Sequence, residues 1–323
     1  MCIFDGDFDR ALKFADGAAV EAEKFGFTDL LAKGVFFQGD VAQHRGELME
    51  AAERLQVAKG LQEQLGDNAA LARTLTSLGF LAKRNANLGQ AWAWLEMARE
   101  TSRLIRDSRS EAYCFRGLAA IARIWGDFET SLSMTTKARD LYERSGNRFG
   151  AATCINGLGE ICRAQGDLSA AETYYRQART LYREVSPRSG WVPQINLCLV
   201  LLARGNYVDA LAELDSLQLL CEQQGLRWLE ASVNALRLPG LADLGDWVRF
   251  DECFQSLTEL LAETGSKEPD DAWAIQLAGQ IALNKGRAQR ARHVLTEALR
   301  LWHALGKAQE VSQTEALLAS VPA

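Results

Sequence analysis

The chain alternates between two kinds of amphipathic segment, separated by short polar turns. In one kind, apolar residues recur every three or four positions, as at Ala152, Ile155, Leu158 and Cys162, which is the spacing of one face of an α-helix. The other kind follows a Gly-Asp or Gly-Asn turn and carries small residues such as Ala171 on one face. This pattern predicts an all-α fold built from helical hairpins.

The hairpins repeat with a period of 40 residues, which varies between 39 and 41. An aspartate directly after the turn glycine, such as Asp127 or Asp246, is placed to cap the N–H groups of the next helix. We name the helix after each turn position the outer helix, and the helix that follows it the inner helix. We expect about eight such hairpins. Their turn positions are Gly6, Gly46, Ala86, Gly126, Gly166, Gly205, Gly245 and Gly286.

A small residue recurs at the seventh position before the next turn, and it predicts close packing between paired helices. A large side chain there would clash with the neighbouring outer helix. Two later repeats carry Cys198 and Leu238 instead, so their packing should differ locally. The small residues are Gly39, Gly79, Ala119, Gly159 and Gly279.

We expect a single solenoid over residues 1–323, with regular repeats over 6–183 and less regular repeats over 184–323. Proline-containing breaks are expected near 187–193, 239 and 269, because proline removes a helical hydrogen bond and clashes with the preceding turn. The first stretch predicts an irregular link over Val185–Pro193, and the second predicts a kink at Pro239. The third predicts a polar loop before an inner helix that starts near Asp270.

The repeat resembles the tetratricopeptide repeat. The common form has about 34 residues. The period of 40 is similar to the longer-helix variety in Pins-type polarity adaptors, in the C-terminal sensor domain of the bacterial maltose activator, and in bacterial regulatory ATPases and kinases. The resemblance implies a right-handed superhelix whose inner helices line a concave groove for peptides or protein segments, and it implies no enzymatic activity. The motif is met by Ile155, Leu158, Gly159, Gln165, Gly166, Asp167, Ala171, Tyr175 and Ala178.

Composition and charge narrow the classes of partner. The 323 residues carry a net charge of −6 and a pI of about 5.3, so there is no global basic field to attract nucleic acid or an anionic membrane. No apolar stretch approaches the ~20 residues of a membrane span, and the N-terminus has no secretory pattern, which leads us to expect a cytoplasmic protein. The seven cysteines form no CxxC pair and are expected to be reduced and buried. No nucleotide, metal or catalytic motif occurs, so we expect no cofactor, no metal site and no enzyme.

Groove positions transferred from the family predict a partner-binding surface. Its arginines and its lysine would form a basic strip for acidic side chains or a C-terminal carboxylate, and Asn156 stands where the family often uses asparagine to bind a peptide backbone. The alternative is a solvated helix face whose charges pair with neighbours such as Glu160. The predicted surface comprises Arg73, Thr76, Lys83, Tyr113, Arg116, Arg123, Asn156, Glu160, Arg163 and Trp273.

Later inner helices carry apolar residues at the equivalent positions, such as Leu199, Leu202, Ala235 and Ala242. They would either receive an amphipathic partner helix or pack against a neighbouring helix or a second protomer.

The leading hypothesis is a protein–protein interaction scaffold that binds a peptide or partner segment. An alternative is the C-terminal sensor or regulatory domain of a larger signalling ATPase, kinase or transcription activator. The chain would start on an outer helix without its inner mate and end on a lone inner helix over Lys307–Ser320. A homo-oligomer that associates through an exposed apolar end helix is a further alternative.

Overall fold

The computed structural model describes residues 8–185 and 190–322, which form sixteen helices and contain no strand. The predicted all-α fold is confirmed. The first turn position, Gly6, and residues 186–189 of the predicted irregular link lie outside the described residues. None of the described helices is both long enough and apolar enough to cross a membrane.

The helices group into two compact units, Met1–Asp167 and Leu168–Ala323. Odd-numbered helices are the outer helices and even-numbered helices are the inner helices of the sequence pattern. Unit 1 contains α1 (Phe8–Phe25), α2 (Thr28–Arg45), α3 (Leu48–Leu65), α4 (Asn68–Arg84), α5 (Leu88–Leu104), α6 (Ser108–Ile124), α7 (Phe128–Arg144) and α8 (Arg148–Ala164). Unit 2 contains α9 (Leu168–Val185), α10 (Trp191–Ala203), α11 (Tyr207–Gln224), α12 (Arg227–Leu244), α13 (Trp247–Thr264), α14 (Pro269–Asn284), α15 (Ala288–Ala304) and α16 (Ala308–Ala319).

Within unit 1, the inner helices lie side by side. Helix α2 contacts α4, α4 contacts α6, and α6 contacts α8, while each of α2, α4 and α6 also packs against the outer helices before and after it. Among the described residues of this unit, no comparable contact joins one outer helix to the next. The inner helices therefore form one continuous layer, on which side chains forty residues apart are neighbours.

The predicted close approach between an inner helix and the outer helix that follows it is confirmed at Gly39 and Gly79. A Cβ atom on Gly79 would lie 2.6 Å from Cγ of Leu95, and one on Gly39 would lie 2.9 Å from Cγ of Leu55. Both leucines are fully buried. The missing side chain on the inner helix therefore makes room for the leucine of the outer helix.

Turn chemistry explains where the helices begin and end. Gly126 (φ 79°) and Gly146 (φ 67°) adopt the left-handed conformation that glycine tolerates. Asp127 accepts a hydrogen bond from the backbone N–H of Thr130 at 3.0 Å, which confirms the predicted cap. In the third repeat Ala86 takes the same left-handed conformation, with φ 57°. The turn geometry is thus kept even where the glycine is missing.

Three prolines of unit 2 lie at a helix start or inside a helix. Pro193 lies in the first turn of α10, and Pro269 is the first residue of α14; both are places where a helix does not need the missing N–H. Helix α12 continues through Pro239 to Leu244. The expected difference in regularity before and after residue 184 stays a prediction.

The core of unit 2 also settles the role of its apolar inner positions. Leu199 and Leu202 are each 2% exposed, and Ala235 and Ala242 are fully buried. These side chains pack inside the unit, so the packing interpretation is confirmed and these four residues form no open wall for a partner helix.

A carboxyl group lies inside unit 2. Asp271, at the start of α14, is 2% exposed, and its Oδ2 accepts a hydrogen bond from Oγ of Ser232 on α12 at 2.9 Å. Burial raises the pKa of Asp271 from its usual 3.8 to about 7; the Ser232 bond opposes this shift, while Glu268 and Asp270 add to it.

The close approach at Gly79 predicts opposite effects for two glycine-to-alanine changes. Gly79→Ala should lower the free energy of unfolding by about 1–3 kcal/mol, because the new methyl group overlaps Leu95. Gly60→Ala, in the middle of α3 with nothing within 4 Å of the new atom, should raise it by up to about 1 kcal/mol. Urea unfolding followed by circular dichroism measures both. Equal effects of the two changes would contradict the close approach.

Asp271 predicts a stability that falls as pH rises. Between pH 4 and 7 the folded carboxyl keeps a proton that the unfolded chain has released. This group therefore lowers the free energy of unfolding by up to about 1.4 kcal/mol for each pH unit in that window. Asp271→Asn keeps an acceptor for Ser232 and removes the slope, so the variant should gain stability over the wild type as pH rises to 8. Urea unfolding between pH 4.5 and 8 tests this; parallel curves for the two proteins would count against it.

Candidate functional site

Nine of the ten predicted site residues lie on the inner-helix layer of unit 1. The 40-residue period places them in rows that cross α4, α6 and α8. One row crosses the three helices at the third position before each turn, where all three side chains are basic. A second row lies at the tenth position before the turns, and a third begins at Arg73 and Tyr113. The first row is Lys83, Arg123 and Arg163, and the second is Thr76, Arg116 and Asn156.

Glu160 on α8 joins two of the predicted residues. Its Oε2 lies 3.0 Å from a guanidinium nitrogen of Arg123 on α6, and its Oε1 accepts a hydrogen bond from Nδ2 of Asn156 at 2.9 Å. Arg123 and Glu160 are each 30% exposed, whereas Asn156 is only 4% exposed. The bond to Glu160 therefore uses one of the two N–H groups of this amide.

The cluster holds more positive than negative charge. Burial lowers the pKa of Lys83, and the positive charges of Arg123 and Arg116 lower it further. The negative charge of Glu160 raises it. Lys83 is therefore repelled by two arginines and attracted by one carboxylate. Because Lys83 is partly withdrawn from water, their mutual repulsion is screened less than it would be on an open surface.

An aromatic pair supports the cluster on one side. The rings of Phe80 on α4 and Tyr113 on α6 have centroids 5.0 Å apart, and the guanidinium carbon of Arg116 lies 5.4 Å from the Tyr113 centroid. A cation over an aromatic face is attracted by the ring electrons. Tyr113 is 41% exposed, so this contact orients Arg116 at the surface.

A small cavity of about 120 Å³ opens between the rows, lined by Arg116, Arg123, Asn156, Glu160 and Thr135 among others. Its origin is a change in one outer helix. Thr135 on α7 occupies the position of Leu95 on α5, nine residues past the turn, and threonine leaves space that leucine fills. The threonine at position 135 is visible in the sequence. That it lies beside a cavity lined by charged residues is visible only in the structure.

The remaining predicted residues are placed differently. Arg73 is exposed, and Thr76 donates to its own helix, to the carbonyl oxygen of Ala72 at 2.7 Å. Arg163 is half-buried. Trp273 belongs to unit 2, where it is half-buried and packs against two core clusters. A binding role for Trp273 stays a prediction.

A match to a family model identifies the family of this repeat. Residues 1–301 match the family model of the MalT-like TPR region. The chain belongs to this family. The match of this MalT-like TPR chain covers every repeat of unit 1 and most of unit 2, and it confirms the tetratricopeptide resemblance. No curated protein matches the chain in sequence.

Solved structures share the fold of this MalT-like TPR chain at low identity. A Rap protein in complex with competence and sporulation factor is 13% identical, with a TM-score of 0.64 over 90% of this chain and 74% of that one. BtubC from P. vanneervenii is 19% identical, with a TM-score of 0.57 over 68% and 92%. The apo quorum sensor NprR from B. thuringiensis is 13% identical, with a TM-score of 0.55 over 97% and 83%. At these identities the likeness shows the fold alone.

The electrostatic cluster predicts opposite shifts of one pKa. Glu160→Gln removes the carboxylate that favours charged Lys83 and should lower the pKa of Lys83 further, whereas Arg123→Gln removes a repelling cation and should raise it. NMR titration of ¹³C-methylated lysines measures the change. Arg54→Gln, on the outer helix α3, is the matched control and should leave the Lys83 signal unmoved. Shifts of the same sign in both cluster variants would refute the arrangement.

Proposed function

We propose that the inner-helix layer of unit 1 binds a segment of a partner protein, and that a carboxylate of this segment is held by Lys83, Arg116 and Arg123. The observation that carries the proposal is the excess of positive charge in the cluster: two arginines and one carboxylate act on Lys83, and that carboxylate, Glu160, is already paired with Arg123. The chain as a whole is acidic, with a net charge of −6, so no general affinity for polyanions is expected. A local excess of positive charge instead favours a single anionic group at this site.

The geometry supports an acidic side chain or a C-terminus better than a larger anion. The cavity of about 120 Å³ is large enough for one carboxylate group and too small for a folded segment. Arginine binds carboxylates through two parallel hydrogen bonds. One guanidinium nitrogen of Arg123 already lies 3.0 Å from Oε2 of Glu160, so an incoming carboxylate would share or replace an ion pair that the protein makes internally. The scaffold itself would take no part in catalysis.

Peptide selection tests the proposal. A random peptide library displayed on phage is selected against the full chain, and the selected peptides should carry aspartate, glutamate or a free C-terminus. Binding of one such peptide should weaken by about tenfold or more in Arg116→Glu or Arg123→Glu, since a charged hydrogen bond is worth about 1.5–3 kcal/mol.

Arg54→Glu provides the control, because it makes the same charge change on an exposed arginine of the outer helix α3, where the side chain is 47% exposed. Its affinity for the peptide should match that of the wild type. Selected peptides that lack acidic groups, or equal losses in Arg54→Glu and Arg123→Glu, would overturn the proposal.

A sensory role is a second candidate, and the family model favours it, since the chain belongs to the MalT-like TPR region family. Among proteins of similar fold, the Rap structure contains competence and sporulation factor, and NprR is a quorum sensor. A sensor must differ in conformation between its free and bound states. Amide hydrogen exchange of the same protein–peptide complex measures this. Altered protection in helices that do not touch the peptide supports a sensor, and changes confined to the contacted helices support a passive scaffold.

A further inference from the structure

The place of the small cavity in the charged cluster is filled by large side chains one repeat earlier. There, the ring of Phe80 on α4 and the side chain of Leu95 on α5 meet over Gly117 on α6. A Cβ atom on Gly117 would lie 3.3 Å from Cζ of Phe80 and 2.8 Å from Cδ1 of Leu95. Gly117 is accordingly buried. These two side chains close the space between the neighbouring inner helices α4 and α6.

Forty residues later, between α6 and α8, the same positions carry small residues. Gly157 takes the place of Gly117, Ala120 takes the place of the phenylalanine, and Thr135 takes the place of the leucine. The nearest atom of another helix to a Cβ atom on Gly157 would be Cγ2 of Thr135, at 3.7 Å. Gly157 is also partly exposed, whereas Gly117 is buried. The second crossing of inner helices therefore leaves open a space that the first one fills.

A fourth position enlarges this space. The ring of Tyr113 lies beside that of Phe80, with the centroids 5.0 Å apart, and the equivalent residue on α8 is Thr153. The cavity of about 120 Å³ is thus the volume that aromatic rings and a leucine occupy one repeat earlier. Its small lining residues are Ala120, Thr135, Thr153 and Gly157.

The size and the chemistry of the cavity suit an aromatic ring. A cavity of about 150 Å³ accommodates benzene, and this one holds about 120 Å³ and opens at the surface. Arg116 lines it, and the guanidinium carbon of Arg116 already lies 5.4 Å from the centroid of the Tyr113 ring. Arginine is attracted to aromatic faces, so a ring in the cavity would meet a cation of the kind that favours it.

The cavity adjoins the proposed carboxylate site. Arg116 and Arg123 line the cavity, and both belong to the cations that act on Lys83. Consecutive Cα atoms of a peptide are about 3.8 Å apart. A segment that places a carboxylate on these cations therefore brings the side chain of a neighbouring residue within reach of the cavity.

We propose that the cavity receives an aromatic side chain of the partner segment, from the residue next to the one that carries the carboxylate. The ring enters over Gly157, at the place that Phe80 occupies one repeat earlier. Since the carboxylate site is itself the proposed function of this layer, the ring site rests on it and adds a second requirement to the partner. The partner is then selected by the size of one side chain as well as by the charge of its neighbour.

A peptide library with a fixed central aspartate and random flanking residues tests the proposal. The library is displayed on phage and selected against the full chain, and aromatic residues should be enriched directly before or directly after the aspartate. One selected peptide is then compared with a copy that has alanine in place of the aromatic residue. The aromatic peptide should bind about tenfold more tightly, the usual effect of burying one such side chain. Fluorescence anisotropy of the labelled peptides measures both affinities.

Variants of the protein locate the ring site. Ala120→Phe and Thr153→Tyr introduce the side chains that Phe80 and Tyr113 supply one repeat earlier. Each should lower the affinity for the aromatic peptide to that for the alanine peptide. Ala93→Phe, at an exposed position of the outer helix α5, adds the same ring away from the cavity and should keep the tenfold preference. Circular dichroism confirms that each variant keeps its helices.

The outcomes separate the ring site from the carboxylate site. Equal binding of the two peptides by the wild type, with Arg123→Glu weakening both, would leave the carboxylate site in place and overturn the ring site. A tenfold preference that persists in both Ala120→Phe and Thr153→Tyr would also overturn the ring site. If the wild type binds no peptide of the library, the carboxylate site fails and the ring site fails with it.

Discussion

The repeats of both units depend on one steric constraint, the contact between a small residue on an inner helix and a large residue on the outer helix that follows it. A Cβ atom at Gly79 or Gly279 would lie 2.6 Å from the facing leucine. This contact fixes how closely the two helices approach, and it thereby holds consecutive inner helices at a constant spacing. Because of that spacing, side chains forty residues apart form rows across the inner helices. The surfaces that the inner helices share are built from these rows.

The charged cluster and the apolar groove are two departures from that one rule. On α7, Thr135 replaces the leucine and leaves a cavity beside the arginines. On α1, Ala15 stands at the same position, beside an apolar groove of about 660 Å³ between α1 and α2. A repeat protein can therefore acquire a site without altering its backbone, by changing a residue that packs in the other copies to a smaller one.

The sequence was sufficient for features that depend on local chemistry. The period, the left-handed glycine at Gly126 and the cap at Asp127 each involve residues within one turn, so their types determine the outcome. Features that depend on distances between helices could not be predicted. Whether Asn156 faces a ligand or bonds Glu160 is decided by the separation of side chains within the layer. Asp271 looks like an ordinary acidic residue at a helix start, and only the position of α12 shows that it is buried. Pro239 predicts a kink, and α12 continues through it to Leu244.

The locality of the helix contacts has a kinetic consequence. Within each unit, every substantial contact joins helices that are adjacent or next-but-one along the chain, so little of the chain must be brought together before stabilising contacts form. Such topologies fold rapidly, and their stability is close to a sum over neighbouring repeats. In such an array the hairpin with the fewest neighbours opens first. A ligand that contacts several inner helices of unit 1 would therefore slow the opening of all the repeats that it bridges.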